Sequence, residues 1–345
     1  MSVLVTGGAG YIGSHMAYGL LDRGEDVVVL DNLSTGVPAL VPARARFVEG
    51  SVGDGALVRQ LMRETGIDTV IHFAGSIVVP ESVENPLRYY LNNTVASREL
   101  LAACIDCGVR NFVFSSTAAV YGNPDKVPIT ETAATLPINP YGRSKLMTEW
   151  MLEDAAHAHD FRYVVLRYFN VAGADPAGRT GQSTPAATHL IKRACQAALG
   201  IVPKLDIFGT DFSTPDGTGV RDYIHVSDLI AAHLMALDHL RRGGPSLICN
   251  AGYGHGYSVL EVIRAVERVT NHNLHTQMAP RRVGDPPIMI ADPAWLKSTL
   301  GWEPEHDDLS EIRPFSLCLG ALTPPQIDIP ARNQPTHFEH CSMAA

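Results

Sequence analysis

The sequence predicts an α/β protein: a doubly wound parallel sheet with a smaller α/β lobe beside it. Short apolar segments alternate with helical ones through the first half, the sign of a parallel sheet covered on both faces. Those segments are rich in Val, Ile and Phe and lack the strict alternation of a half-exposed sheet. The chain, at 345 residues, is longer than a usual single domain, so a nucleotide-binding unit with a second lobe is the natural expectation.

The expected strands are 2–6, 26–31, 45–49, 69–73, 111–115 and 162–168, with helices at 13–23, 55–64 and 98–107 between them. After Asn170 the texture turns to Gly, Pro and Thr over 174–185, which places the end of the first domain near residue 170. Two further strand-like runs, 219–226 and 245–251, are expected to return to the large sheet, so that 1–170 is rejoined by about 219–251. The second lobe is then 171–218 with 252–312. From Arg313 onward helical periodicity is lost and Pro314, Pro324, Pro325, Pro330 and Pro335 accumulate, which predicts a weakly ordered tail over 313–345.

Composition narrows the function classes. With 46% hydrophobic and 18% charged residues the chain can bury a large core, yet no apolar run is long enough for a bilayer. The start runs directly into Val3-Leu4-Val5-Thr6, a strand without a basic or cleavable leader, so the expected location is the cytoplasm. Six scattered cysteines fit reduced thiols, and Cys104-x-x-Cys107 falls on a helix without a second ligand pair, so no metal site is expected. The net charge of −9 argues against a nucleic-acid partner. Anionic substrates must be held by local cations and helix ends.

Thr6-Gly7-Gly8-Ala9-Gly10-Tyr11-Ile12-Gly13 follows a strand and opens a helix, the context that turns a glycine motif into a dinucleotide site of Rossmann type. Gly7 and Gly10 allow close backbone approach to a pyrophosphate, Gly13 lets the helix pack on the strand, and the phosphates meet free amides at the helix start. Asp31 ends the second strand, where a carboxylate binds ribose hydroxyls and repels a 2′-phosphate, so NAD is favoured over NADP. Phe73-Ala74-Gly75 closes another strand at the same edge with residues small enough for a cofactor to lie on backbone, and Asn92 follows on the next helix.

Asn139-Pro140-Tyr141-Gly142-Arg143-Ser144-Lys145 places Tyr141 and Lys145 four apart on one helical face. A phenol is a poor base at neutral pH, but an adjacent ammonium and a positive nicotinamide ring favour phenolate. Lowering its pKa by roughly three takes about 4 kcal/mol. Upstream, Ser115-Ser116-Thr117 ends a strand, and a hydroxyl there would relay the proton between substrate and Tyr141. Together these features point to hydride chemistry on an alcohol carbon.

At these motifs the chain resembles the extended short-chain dehydrogenases, and among them the UDP-glucose (UDP-galactose) 4-epimerases. The likeness runs over about residues 1–312 and is tightest in the glycine segment through Ser14-His15, in 114–122, in Tyr141-Gly142-Arg143-Ser144-Lys145, in Leu166-Arg167-Tyr168-Phe169-Asn170, and in 216–226. His15 and His225 belong to these motifs and lack clustered partners, so neither suggests a metal. The resemblance implies that Tyr141 takes the proton from a sugar 4-hydroxyl while C4 passes hydride to NAD, and that hydride returns to the opposite face of a 4-keto intermediate. It implies Thr117 and Lys145 as the other catalytic groups. It also implies a cofactor set that adds Tyr11, Ile12, Asn32, Ser51, Val52, Ser115 and Phe169, and a UDP-sugar set of Thr117, Asn170, His189, Leu190, Ile207, Phe208, Arg221, Arg282, Asp285 and Met289. Arg221 and Arg282 suit the diphosphate. A homodimer is usual in the family.

The chain departs from the family pattern in places. Thr117 stands where many members have Ser, Ser51 where an Asp often contacts the adenine, and Ile77 where some have a Lys; Met289 occupies the position that gates room for a C2 N-acetyl group. A closing amphipathic helix is expected after Leu309, but Arg313-Pro314 interrupts it, consistent with a shifted reading frame or an altered terminus. Rival enzymes sharing these motifs are epimerases of UDP-glucuronate, UDP-pentose or UDP-N-acetylhexosamine and a nucleotide-sugar 4,6-dehydratase, although the dehydratase's Asp-Glu pair is replaced here by Ala118 and Ala119. A non-catalytic NAD-sensing protein is the rival from another class; intact Tyr141 and Lys145 weigh against it.

Overall fold

Buried β-branched runs become the strands of one sheet in the computed structural model, which describes residues 1–184, 188–282 and 285–309. In chain order the first half comprises β1 (Ser2–Thr6), α1 (Tyr11–Asp22), β2 (Asp26–Asp31), β3 (Arg46–Glu49), α2 (Gly55–Thr65), β4 (Ile67–His72), α3 (Val79–Glu84), α4 (Pro86–Tyr89), α5 (Ala96–Cys107), β5 (Asn111–Thr117), α6 (Pro140–Ala158) and β6 (Arg162–Tyr168). A wide-turned segment, Tyr90–Val95, joins α4 to α5. The second half contains β7 (Asn170–Ala172), α7 (Leu190–Ala198), β8 (Leu205–Phe208), β9 (Val220–Arg221), β10 (Tyr223–His225), α8 (Val226–Arg241), β11 (Leu247–Ala251), β12 (Tyr257–Ser258), α9 (Val259–Thr270), β13 (Thr276–Ala279), β14 (Ile288–Met289) and α10 (Ala294–Leu300).

Seven strands form one parallel sheet in the order β11-β6-β5-β4-β1-β2-β3. The chain works outward from β1 through β2 to β3, then crosses to β4 on the other side of β1. Strand order therefore reverses between β1 and β4, the crevice where open α/β sheets take ligands. One face packs apolar side chains of α1 and α8, the other those of α2, α5 and α6. Cys104 lies in the second of these cores, where burial pushes its thiol up.

Two expectations need correction. Helix α1 starts at Tyr11, two residues early, because Gly10 in extended conformation serves as its N-cap. The run 219–226 does not return to the large sheet; only 247–251 does, as the edge strand β11. It splits instead at Asp222, whose buried carboxylate accepts from the amides of Tyr253, Gly254 and Ala291. On either side of that anchor β9 pairs with β12 and β14, and β10 pairs with β7. Burial pushes the Asp222 carboxyl up to about 6 against those amides.

The end of the described chain is fastened onto α8. Asp228, in the first turn of that helix, accepts from the Tyr253 hydroxyl at 2.6 Å and from the amides of Glu305 and His306 at 3.0 and 2.9 Å. Its carbonyl accepts from the indole of the fully buried Trp302 at 2.9 Å. Among the described residues no helix is long and apolar enough to cross a membrane. The expected weakly ordered tail and the closing helix after Leu309 lie outside the described residues.

Candidate active site

The loop after β1 is closed by backbone contacts that leave no room for side chains. Gly7 has a positive φ of 70°, and a Cβ there would lie 2.7 Å from the Ala74 nitrogen; one on Gly13 would lie 2.2 Å from the Gly7 carbonyl oxygen. The amides of Tyr11, Ile12 and Gly13 open α1, whose first turn has no acidic residue, so they face outward with the positive end of the helix. Tyr11 is otherwise structural: its hydroxyl donates to the Gly173 carbonyl at 2.6 Å. Asp31 accepts from the amides of Ala9 at 3.0 Å and Leu33 at 2.8 Å, one on each oxygen, which leaves each a further lone pair for a ribose hydroxyl. Burial raises its carboxyl and those two amides oppose the rise. Bare backbone, unpaired helix-start amides and a half-engaged carboxylate fit a dinucleotide.

Around this cradle, Asn32 accepts from the Ser34 amide and exposed Ser51 from the Gly53 amide, while Val52 is buried. Phe73 packs on the core, and the Ala74 amide reaches Thr6 Oγ1 at 3.4 Å. Asn92 donates to Ser76 Oγ at 2.9 Å. Gly75 brings backbone close to Lys145: a Cβ there would stand 3.6 Å from Nζ.

Helix α6 carries the candidate chemistry on its inner face. Asn139 caps it by accepting the Gly142 amide at 2.9 Å, and Pro140 suits its first turn. Lys145, 3% exposed, donates from Nζ to the Ser115 carbonyl at 2.9 Å and sits 4.9 Å from the Phe114 ring centroid. Burial lowers its ammonium to about 8, and the carboxylate of Glu149 one turn further on pulls the other way. Tyr141 stands one turn before Lys145 on the same helix. Burial raises its phenol, a hydrogen bond with Thr117 opposes the rise, and burial wins. The acidic phenol expected from the sequence needs the cofactor's ring as well as the ammonium, whose Nζ is engaged by the Ser115 carbonyl. Thr117 Oγ1 also accepts the Ala119 amide at 3.1 Å, and Ser115 Oγ is engaged by the Tyr168 hydroxyl.

The residues expected to hold the substrate fall in two groups. Ile207 and Phe208 on β8, Arg221 on β9, Arg282 and Asp285 form one. The Arg282 guanidinium lies 3.9 Å from the Phe208 ring centroid, and Arg221 stands 3.9 Å from Asp285. Burial lowers the Arg221 pKa, Arg282 adds to that, and Asp285 opposes it. Two mutually repelling guanidiniums with one carboxylate near Arg221 make a site that gains from a polyanion. The other group lies nearer α6. Phe169 and buried Met289 pack with Tyr121, Ile129 and Leu146, and the Asn170 amide donates to the Asp222 carbonyl. His189 caps α7, with Gln182 Nε2 3.2 Å from its Nδ1, and burial lowers its imidazole; Leu190 follows, packed between two apolar clusters.

A family model described as the NAD dependent epimerase/dehydratase family matches residues 3–252. The chain belongs to that family. Among curated relatives of this epimerase/dehydratase, a UDP-glucose 4-epimerase of Azospirillum brasilense is 60% identical over 310 residues, 90% of this chain and 89% of that protein. Among solved structures, UDP-glucose 4-epimerase from Brucella ovis in complex with NAD is 47% identical with a TM-score of 0.87, covering 90% of this chain and 95% of that one. The Bifidobacterium longum enzyme in complex with NAD+ and UDP is 38% identical with a TM-score of 0.88, covering 93% and 100%.

Sequence reasoning missed several residues of this epimerase/dehydratase. Asn93, buried beside Asn92, accepts the Ser76 amide at 2.7 Å and donates to Ser144 Oγ at 3.0 Å, tying the Gly75 turn to α6. Glu149 and Arg167 form a buried ion pair under Lys145, closed at 2.6 Å. The spacing of Tyr141, Lys145 and Glu149 by fours was the available signal. A carboxylate at that point of an apolar helix face demands a partner, and the sequence does not name it.

Proposed function

We propose that this protein interconverts the C4 epimers of a UDP-hexose, UDP-glucose and UDP-galactose, with NAD as resident cofactor. The observation that carries the reading is the succession of three elements along one edge of the sheet: the glycine cradle after β1, packed on the Ala74–Gly75 turn after β4, the Tyr141–Lys145 face of α6 against that turn, and the Thr117 hydroxyl at the end of β5 on Tyr141. Bound NAD supplies reversible hydride acceptance at the sugar C4. The residues of the chain do the rest. Tyr141 takes the 4-hydroxyl proton and returns it, with Thr117 holding the hydroxyl end of the phenol and bridging to the sugar oxygen. Lys145 supplies the positive charge that favours phenolate, together with the cofactor's ring. Oxidation and reduction at C4 balance, so a 4-keto sugar that turns over in the pocket returns as either epimer with no net consumption of cofactor.

Arg221 and Arg282 clamp the diphosphate, and Phe208, Ile207, Asp285, Asn170, His189 and Leu190 line the rest of the nucleotide-sugar path. The sheet, α8 and β11 form the cofactor half; the segments after 170 and after 251 form the substrate half. The test is to incubate purified protein with UDP-galactose and no added cofactor. Release of UDP-glucose is expected, and unaltered sugar from folded, NAD-loaded protein overturns the reading.

The enzyme is further proposed to act in the cytoplasm as a homodimer, with no membrane or nucleic-acid partner. Leu87, Leu91 and Val95 recur every four residues and are 79%, 65% and 48% exposed, and α6 alongside exposes Trp150. Such an apolar ridge on two neighbouring helices suits pairing with its own copy. Leu91→Glu is expected to convert the dimer to monomer in sedimentation velocity. A monomeric parent protein, or a variant that stays dimeric, disproves this surface.

A further inference from the structure

Beneath the Tyr141–Lys145 face lies a buried polar chain that the proposed chemistry does not use. Glu149, 3% exposed, is the next inward position of α6 after Lys145. Its carboxylate accepts Nε of Arg167 at 3.1 and 3.2 Å and Nη2 at 2.6 Å, and it also accepts the Ser116 hydroxyl at 2.5 Å. Arg167, on β6 opposite Ser116 in the sheet register, is itself fixed: Nη1 donates to the Tyr121 hydroxyl at 3.0 Å, with its guanidinium stacked 5.0 Å from that ring centroid. The Tyr121 hydroxyl donates to Asn250 Oδ1 at 2.7 Å, and Asn250 Nδ2 donates to the Ile129 carbonyl at 2.8 Å. The chain thus crosses β5, β6 and β11 and ends on Glu149, one helical turn from Lys145.

Burying an ion pair in a sheet core is costly, and an apolar pair of similar volume is often at least as stable. A second feature points to its use. Successive β5 residues receive successive inner positions of α6: the Ser115 carbonyl takes Lys145, and the Ser116 hydroxyl binds Glu149. We propose that Glu149 is a positioning residue for Lys145: locked by Arg167 and Ser116, it keeps the lysine charged and aimed at the strand end where the proton is moved.

The other titratable groups around Lys145 do not substitute for it. His72 on β4 is held neutral, its imidazole lowered to about 3 by burial and by Lys145 itself, with Thr6 and Ser97 on its two nitrogens. Burial raises the phenols of Tyr141 on α6 and Tyr168 on β6, so neither stands ionised beside the ammonium before the cofactor's ring is in place. Arg167 is a cation, so it cannot offset the burial of another. Among the described residues Glu149 is thus the carboxylate that offsets the burial of this ammonium.

The role in turnover rests on the epimerase reading, whereas the charge coupling does not, and the test separates them. The chain has five lysines, so selective ¹³C labelling lets the Cε signal of Lys145 be assigned by its loss in Lys145→Arg and followed through a pH titration. The double variant Glu149→Gln/Arg167→Met removes both charges together and leaves neither stranded. Its Lys145 midpoint is expected to fall by on the order of one pH unit, and the alkaline limb of kcat/KM for UDP-galactose to fall with it. The sign follows from the chemistry: a cation deprived of its carboxylate deprotonates earlier as pH rises. Glu149→Asp, which keeps the pair and withdraws the carboxylate by one methylene, is expected to move the midpoint the same way by less, and it serves if the double variant does not fold. An unmoved midpoint in a folded variant overturns the coupling. A shifted midpoint with an unshifted alkaline limb in an active enzyme overturns the role in turnover. A shifted midpoint in a protein inactive on UDP-galactose sinks the epimerase reading and leaves the coupling standing.

Discussion

Tyr141→Phe is expected to reduce conversion of UDP-galactose by about 10³-fold while the protein stays folded and cofactor-loaded. The substitution removes one oxygen from a half-buried ring and leaves α6, its Asn139 cap and the Lys145 contact with Ser115 in place. What disappears is the proton acceptor at the end of β5, and Thr117 is not a substitute, because a neutral alcohol can relay a proton but is too weak a base to keep it. Steady-state turnover by a coupled assay checks the rate, and melting temperature with absorbance of bound nucleotide checks the rest. A loss below tenfold would mean that another group moves the proton. Because the proton acceptor must be phenolate, the parent enzyme should lose activity as pH falls through the Tyr141 pKa of the loaded site.

Gly13→Ala is expected to be nearly as damaging by a different route. The new methyl would stand 2.2 Å from the Gly7 carbonyl oxygen and 2.8 Å from Gly8 Cα, both backbone atoms of the loop that the cofactor lies against. Neither a flexible side chain nor a void is available to absorb it, so α1 must move away from β1. Overpacking of this kind costs about 1–3 kcal/mol, and here it falls on the helix-start amides that meet the pyrophosphate. The expected result is a protein that purifies without NAD and melts several degrees lower, checked by absorbance of the acid-released nucleotide and by calorimetry. Full retention of nucleotide at the parent's melting temperature would refute the close-packing account.

Much of this was legible in the residues. Strands β1, β2 and β6 begin and end where the Val- and Ile-rich runs do, since a buried parallel strand needs little beyond an apolar run with turn residues at its ends. The glycine loop, Asp31 and the Tyr141–Lys145 pair were readable because their geometry is local. Structure that depends on distant partners was not. The run 219–226 looks like one strand until Asp222 finds the amides of Tyr253, Gly254 and Ala291, far along the sequence. Asn93 was passed over for its neighbour Asn92, since only packing against Ser144 decides which of two adjacent amides turns inward. Desolvation of the Tyr141 phenol, which sequence spacing does not reveal, was likewise not read; it raises the phenol against the hydrogen bond with Thr117.

The clasp of Trp302 and its neighbours on Asp228 has a bearing on synthesis. Strand β1 lies inside the sheet, but the edge strand β11 and the indole that seals α8 come more than two hundred residues later in the chain. Non-local pairing of this sort folds slowly and leaves apolar edges bare meanwhile. A nascent chain halted before the clasp should therefore be a chaperone client and a ready target for proteolysis.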